Sequence, residues 1–199
     1  MKRSTAVRHL AEIAAEATAQ LSFRGTSIGW PLEELWVAGD FLSGSEVDDG
    51  VILLRLVMPR AELPWLALHQ KGEWVGEHLR LGKRPFSWWY RSIEDPPWNV
   101  EHRRVVRVWS ASGGVDADVL ESLKTESGAT MTVVEPDDVE VGAHLERDLV
   151  IAKDHLREVV TSYWDRGWRQ EHRPQPDDHL WRAASAVCTI EGALKTLQH

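Results

Sequence analysis

Apolar positions recur every three or four residues over 4–22, where Val7, Leu10, Ile13, Ala14, Ala17 and Leu21 fall on one stripe and predict an amphipathic helix. Ser4 or Thr5 can cap it. Gly25, Gly29 and Pro31 then break the chain into a loop. The pattern changes over 33–42 and 50–58, which read as two strands. The second, Val51 to Met58, is apolar at almost every position, the mark of a strand covered on both faces. A helix is expected near 62–80, with Pro64 in its first turn. Residues 82–100, with Pro85, Pro96 and Pro97 around the cluster Trp88-Trp89-Tyr90, read as a long irregular segment.

Arg103 to Trp109 reads as a third strand, 116–124 as a short helix and 130–135 as a fourth strand. From 139 to 166 the spacing of Leu145, Leu149, Ala152, Leu156, Val159 and Tyr163 predicts a long helix. A polar stretch with Gly167, Pro174 and Pro176 leads to a last helix, capped by Asp177 and striped by Leu180, Ala184, Val187, Ile190, Leu194 and Leu197. Two long helices with a short link form an antiparallel hairpin. The expected class is α+β: a small mixed sheet of about four strands flanked by helices over 1–136, with a helical hairpin over 137–199 packed on it.

Composition narrows the function. The net charge of −8 argues against generic DNA binding. Residues 80–109 reverse the sign locally, with seven Lys/Arg against three acids. That segment, with its indoles, can stack a base and neutralise a phosphate, or cover one end of the sheet while its arginines answer the acidic remainder. Trp, Tyr and Arg also suit a protein-binding surface, a homodimer included. Eleven tryptophans against three phenylalanines and two tyrosines place some indoles at a surface. No apolar run approaches the ~20 residues that span a bilayer, and the single Cys188, expected as a packed core thiol, suits the reducing cytoplasm.

The chemistry concentrates between the first two strands. Gly39-Asp40-Phe41-Leu42-Ser43-Gly44 makes a glycine-punctuated turn, and Asp48-Asp49-Gly50 precedes the second strand. Helix, strand, glycine turn, acidic pair and strand resemble the DNA polymerase β-type nucleotidyltransferase superfamily over roughly 4–109. The resemblance implies a Gly-Ser turn that cradles phosphates, an Asp-x-Asp pair on the second strand and a third carboxylate from a later strand, together holding Mg²⁺. Here Gly39 and Gly44 match the glycines, Asp40 stands at the serine, and Asp49 matches the first carboxylate. Val51 stands at the second, and Val105 to Trp109 carry no acid, so Glu101 is the nearest third.

Asp40, Asp49 and Glu101 are thus the candidate catalytic residues. Gly39, Gly44, Arg84, Trp88, Trp89, Arg104 and Arg107 are the candidate ligand-binding residues. The plain alternative is that Asp48, Asp49 and Gly50 form a tight turn. The pattern also resembles a bacterial family of unknown function, through Pro64-Trp65, Lys83-Arg84-Pro85 with Trp88-Trp89, Trp98-Asn99 and Asp178 to Arg182.

Other constellations are weaker. His144 and Asp148, four apart on a helix, can share a metal, but His155 lies ~10 Å further along, and all three read as solvated residues. Ser110, Ser112, Gly113 and Gly114 lack the lysine of a phosphate loop. Three readings stand: a catalytically inactive nucleotidyltransferase-like binding or regulatory module, a divergent Mg²⁺-dependent transferase, or an interaction domain with a Trp-rich surface.

Overall fold

A computed structural model describes residues 1–20, 29–43, 46–125, 131–172 and 175–198. The chain divides into two compact units, one of residues 1–60 and 69–135, the other of residues 61–68 and 136–199.

The first unit is α+β. Its elements are α1 (Arg3–Gln20), β1 (Leu32–Gly39), β2 (Gly50–Leu56), α2 (Gln70–His78), β3 (Ser87–Ser92), β4 (Val105–Ser110), β5 (Gly114–Val115), α3 (Ala117–Thr125) and β6 (Val133–Val134). The sheet has six strands rather than about four, in the order β3-β2-β1-β4-β5, with β6 also paired to β4. β1 runs antiparallel to β2 and β4, and β2 runs parallel to β3. In β1 and β2, Leu35, Val37, Ala38, Ile52, Leu54 and Leu56 are buried. The predicted stripe of α1 is the buried one: Val7, Leu10, Ile13 and Ala14 are fully enclosed. The expected stripe member Leu21 lies outside the described residues.

The expected helix over 62–80 is shorter. Only Gln70–His78 is α-helical, and a single 3₁₀ turn occupies Arg60–Glu62. The expected irregular segment contains β3, because Trp and Tyr fill a pleated strand well even between prolines. Parallel pairing with β2 needs a crossover, and α2 supplies it. Two glycines one helical turn apart bring α2 close to β3. A Cβ on Gly76 would lie 2.2 Å from the Trp88 ring, and one on Gly72 would lie 2.5 Å from the Tyr90 ring.

The second unit holds α4 (Asp138–Ser162), α5 (Arg166–Glu171) and α6 (Pro176–Leu197). α4 and α6 are antiparallel, as the pairs Tyr163 with Asp177 and Lys153 with Glu191 require. Gln175 rather than Asp177 is the N-cap of α6, with Pro176 at its first position. Asp177 instead accepts the Tyr163 hydroxyl. Cys188 is exposed, which corrects the core thiol expected from its helical position. No described helix is long and apolar enough to cross a membrane.

The close approach of α2 to β3 is testable. Gly76→Ala drives a methyl into the Trp88 indole and is expected to cost about 2 kcal/mol in urea unfolding, the usual size for overpacking. Unchanged stability would show that the ring moves aside freely.

Candidate functional site

The turn between β1 and β2 is built around Gly39. Its φ of +67° and ψ of −141° lie in a region almost confined to glycine, and a Cβ there would sit 2.2 Å from the Asp49 carbonyl oxygen. Gly39 pairs with Gly50 across the strands. The next residue, Asp40, donates its backbone N–H to the Asp49 carbonyl at 3.0 Å. Its carboxylate oxygen Oδ2 accepts the backbone N–H groups of Asp49 at 2.8 Å and Asp48 at 3.0 Å. Those two bonds, Asp49 first, hold the Asp40 carboxyl below the usual carboxylate range, with help from the nearby Arg3 guanidinium.

Arg3 reinforces the same turn from α1. Its Nη1 donates to the carbonyls of Phe41 at 2.9 Å and Leu123 at 3.0 Å, and its Nη2 donates to those of Ser43 at 3.0 Å and Asp40 at 3.3 Å. The Met1 amine donates to Asp48 Oδ1 at 2.9 Å. Gly44 lies outside the described residues. The turn is therefore a folding device in which charged groups satisfy backbone groups.

The candidate carboxylates do not converge. Among the described residues, Asp40, Asp49 and Glu101 do not bring ligand oxygens together at one point. Glu101 lies in an exposed turn, where its N–H is held by Asn99 Oδ1 at 2.8 Å. Val51, at the place of the second carboxylate, is buried. The later strand beside β2 is β3, not β4, and its residues Ser87 to Ser92 include no acid.

The basic segment is mostly spent on internal ties. Arg84 Nη1 reaches Glu12 at 2.5 Å and His9 Nδ1 at 3.0 Å. Arg80 reaches Glu16 at 3.6 Å, Arg91 reaches Asp95 at 3.5 Å and Arg104 reaches Glu135 at 3.0 Å. Trp88 packs against Gly76, and Trp89, on the opposite face of β3, is half-buried.

Arg107 differs. It sits on β4 with half its side chain exposed, across from Trp36 on β1. Its guanidinium lies 6.0 Å from the Trp36 ring centre and donates to Glu34 Oε1 at 3.2 Å. Glu34 Oε2 accepts Arg55 Nη1 at 2.6 Å and the Trp36 indole N–H at 3.0 Å. Burial alone would raise the Glu34 carboxyl, but the Trp36, Arg55 and Arg107 contacts outweigh it and hold the group below its ordinary value. Register brings these residues together, since Glu34 pairs with Arg55 and Trp36 with Arg107. Sequence reasoning missed this network. Its signal was an acid and a base embedded in two adjacent apolar strands.

Arg107 also lines two adjoining clefts of about 300 and 360 Å³, both bordered by Asp116 and Asp118. Trp36, Val119 and Thr132 complete one, and Ser110, Gly113 and Gly114 the other. These volumes fall at the small end of ligand pockets.

In the second unit, His144 and Asp148 are buried rather than solvated, and His144 Nε2 lies 3.1 Å from Asp148 Oδ2. His155 is held below the ordinary imidazole value, chiefly by burial.

The fold is thus an α+β sheet unit with a helical hairpin unit. A family model described as a domain of unknown function, DUF7711, matches residues 1–196, and the chain belongs to that family. No curated protein and no solved structure matches the chain.

Two substitutions separate a folding role from a metal role for the acidic turn. Asp40→Ala removes both acceptor bonds and is expected to cost about 2 kcal/mol, typical of bonds to a charged group. Gly39→Ala is expected to cost about 3 kcal/mol from backbone strain and contact with Asp49. Chemical denaturation measures both, and an Asp40→Ala protein as stable as the parent would contradict the assignment.

Proposed function

We propose that the chain is a non-catalytic binding or regulatory module on a nucleotidyltransferase-like scaffold, with the Arg107–Trp36 cleft as its recognition surface. The observation that carries this reading is the capture of the Asp40 carboxylate by the Asp48 and Asp49 N–H groups. A carboxylate that must hold a loop closed is a poor ligand for a dication that has to come and go with substrate. The apolar Val51 and the absence of acids from β3 and β4 support the same reading. A divergent Mg²⁺ enzyme built on Asp40, Asp49 and Glu101 has less support, because those oxygens do not meet.

The cleft favours a small polar ligand over a nucleoside triphosphate. Arg107 is already countered by Glu34, and Asp116 and Asp118 border the same space. A polyanion would meet net repulsion there, while a neutral nucleoside or a zwitterion would find an indole edge, a cation and two acceptors. The soluble cytoplasm remains the proposed location.

A second reading, a protein-interaction domain, rests on the helical unit. Trp164 is 82% exposed and Trp181 68% exposed, and Arg169 lies 5.0 Å from the centre of the Tyr163 ring. Exposed indoles beside an arginine are the composition of an interface anchor. A second copy of the chain is the first partner to test.

Isothermal titration of nucleosides, amino acids, ATP and GTP, each with and without Mg²⁺, tests the first reading. The expected result is Mg²⁺-independent binding of a neutral or zwitterionic compound, weakened at least tenfold by Arg107→Ala. Metal-dependent nucleotide transfer to protein or RNA would end it. For the second reading, sedimentation is expected to show a dimer that Trp164→Ala dissociates, and a monomer unchanged by that substitution counts against it.

A further inference from the structure

Two histidines touch at one end of the helical unit, and a third, His155, lies close enough to couple to them electrostatically. His155 comes from α4, His172 closes α5, and His179 lies in the second turn of α6. The His172 and His179 ring centres are 4.5 Å apart, with the planes at 86°. His172 stacks on Trp168 at 4.1 Å and 20°, and Trp168 meets His179 edge-on at 6.0 Å. His172 Nδ1 lies 2.8 Å from the Trp168 carbonyl oxygen. A carbonyl can only accept, so Nδ1 carries the proton in this contact. An edge-to-face pair of imidazoles aims one ring's rim at the other's face, which is packing geometry rather than a ligand cage.

We propose that α5 is an acid-released latch, pinned to α6 by packing of Trp168 and the His172 ring against the His179 ring, and freed on acidification so that Trp168 is uncovered. Gathering three imidazoles in a partly buried place makes each charge oppose the next. Burial, then His172, His155 and Arg182, push the His179 imidazole down to about 4, and Asp178 offsets this in part. His155 is lowered by burial and by His172, with Glu158 opposing.

The charged groups acting on His155 and His179 are Glu158 on α4 and Asp178 and Arg182 on α6. On α5, Arg169 lies instead over the Tyr163 and Trp164 rings. Asp177 is engaged by the Tyr163 hydroxyl.

The sign follows from linkage. The open form takes up protons near the ordinary 6.5, while closed His179 resists them until about 4. Between those limits the open form binds more protons, so each fall in pH favours opening, by up to about tenfold per unit for each proton taken up. Above 6.5 neither form is charged at His179, and the latch stays shut. Below about 4 the closed form binds that proton too, and His179 adds no further drive.

The test is a pH titration of the full chain by NMR, reading the Trp168 indole resonance (assigned with Trp168→Phe) and the imidazole carbons. The expected result is a Trp168 shift toward the free-indole position between pH 6.5 and 4.5, with His179 titrating on the same curve. His179→Asn removes one proton acceptor and is expected to flatten that curve. Because Asn also alters packing, His155→Gln is the second variant, with the same expected flattening. A Trp168 resonance that stays fixed to pH 4.5 would overturn the proposal. So would three imidazoles titrating independently near 6.5, or both variants retaining the parent slope.

Discussion

Two backbone N–H groups on one carboxylate oxygen set much of what this chain can do. Asp40 receives Asp48 and Asp49, and the Asp49 carbonyl receives Asp40 in return. The exchange returns the chain on itself after Gly39 and fixes the register in which β1 and β2 pair. Losing both bonds to this exposed charged acceptor is expected to cost about 2 kcal/mol. The same exchange commits Oδ2 of this acid to the turn. Arg3 completes the arrangement by collecting four carbonyl oxygens with its two terminal nitrogens. Charge is used here to close a loop.

The rest of the sheet unit follows the same economy. The segment 80–109 reads as basic along the chain, but folding sends its arginines to Glu12, Glu16, Glu34, Asp95 and Glu135. Most of these pairs are partly exposed and individually weak. Their effect is to cancel a positive patch that would otherwise attract phosphates. Arg107 keeps an open side, because the Glu34 it pairs with is shared with Arg55 and Trp36.

The α+β class and the helical hairpin were legible because period-3.6 and near-continuous apolar patterns follow directly from burial. Val51 and the acid-free 105–109 segment were also legible as a deficit. β3 was not, since Trp88, Trp89 and Tyr90 between prolines carry no alternation of apolar and polar residues. Only the sheet shows that this strand, not β4, flanks β2. The fates of Arg84 and Arg104 were hidden for another reason: their acids lie on α1 and just beyond β6. Pairing across such distances leaves no local signal. Cys188 misled because it lies near an apolar stripe yet faces outward.

The carboxylate at the β1–β2 turn holds backbone N–H groups of that turn. Paramagnetic broadening by Mn²⁺, read on the backbone amides of residues 40, 48 and 49, distinguishes this folding role from a metal site. With a folding role alone, micromolar Mn²⁺ is expected to leave these amides as sharp as those of other exposed acidic residues. Selective loss of their signals at that concentration, reversed by excess Mg²⁺, would instead show a dication bound at the turn.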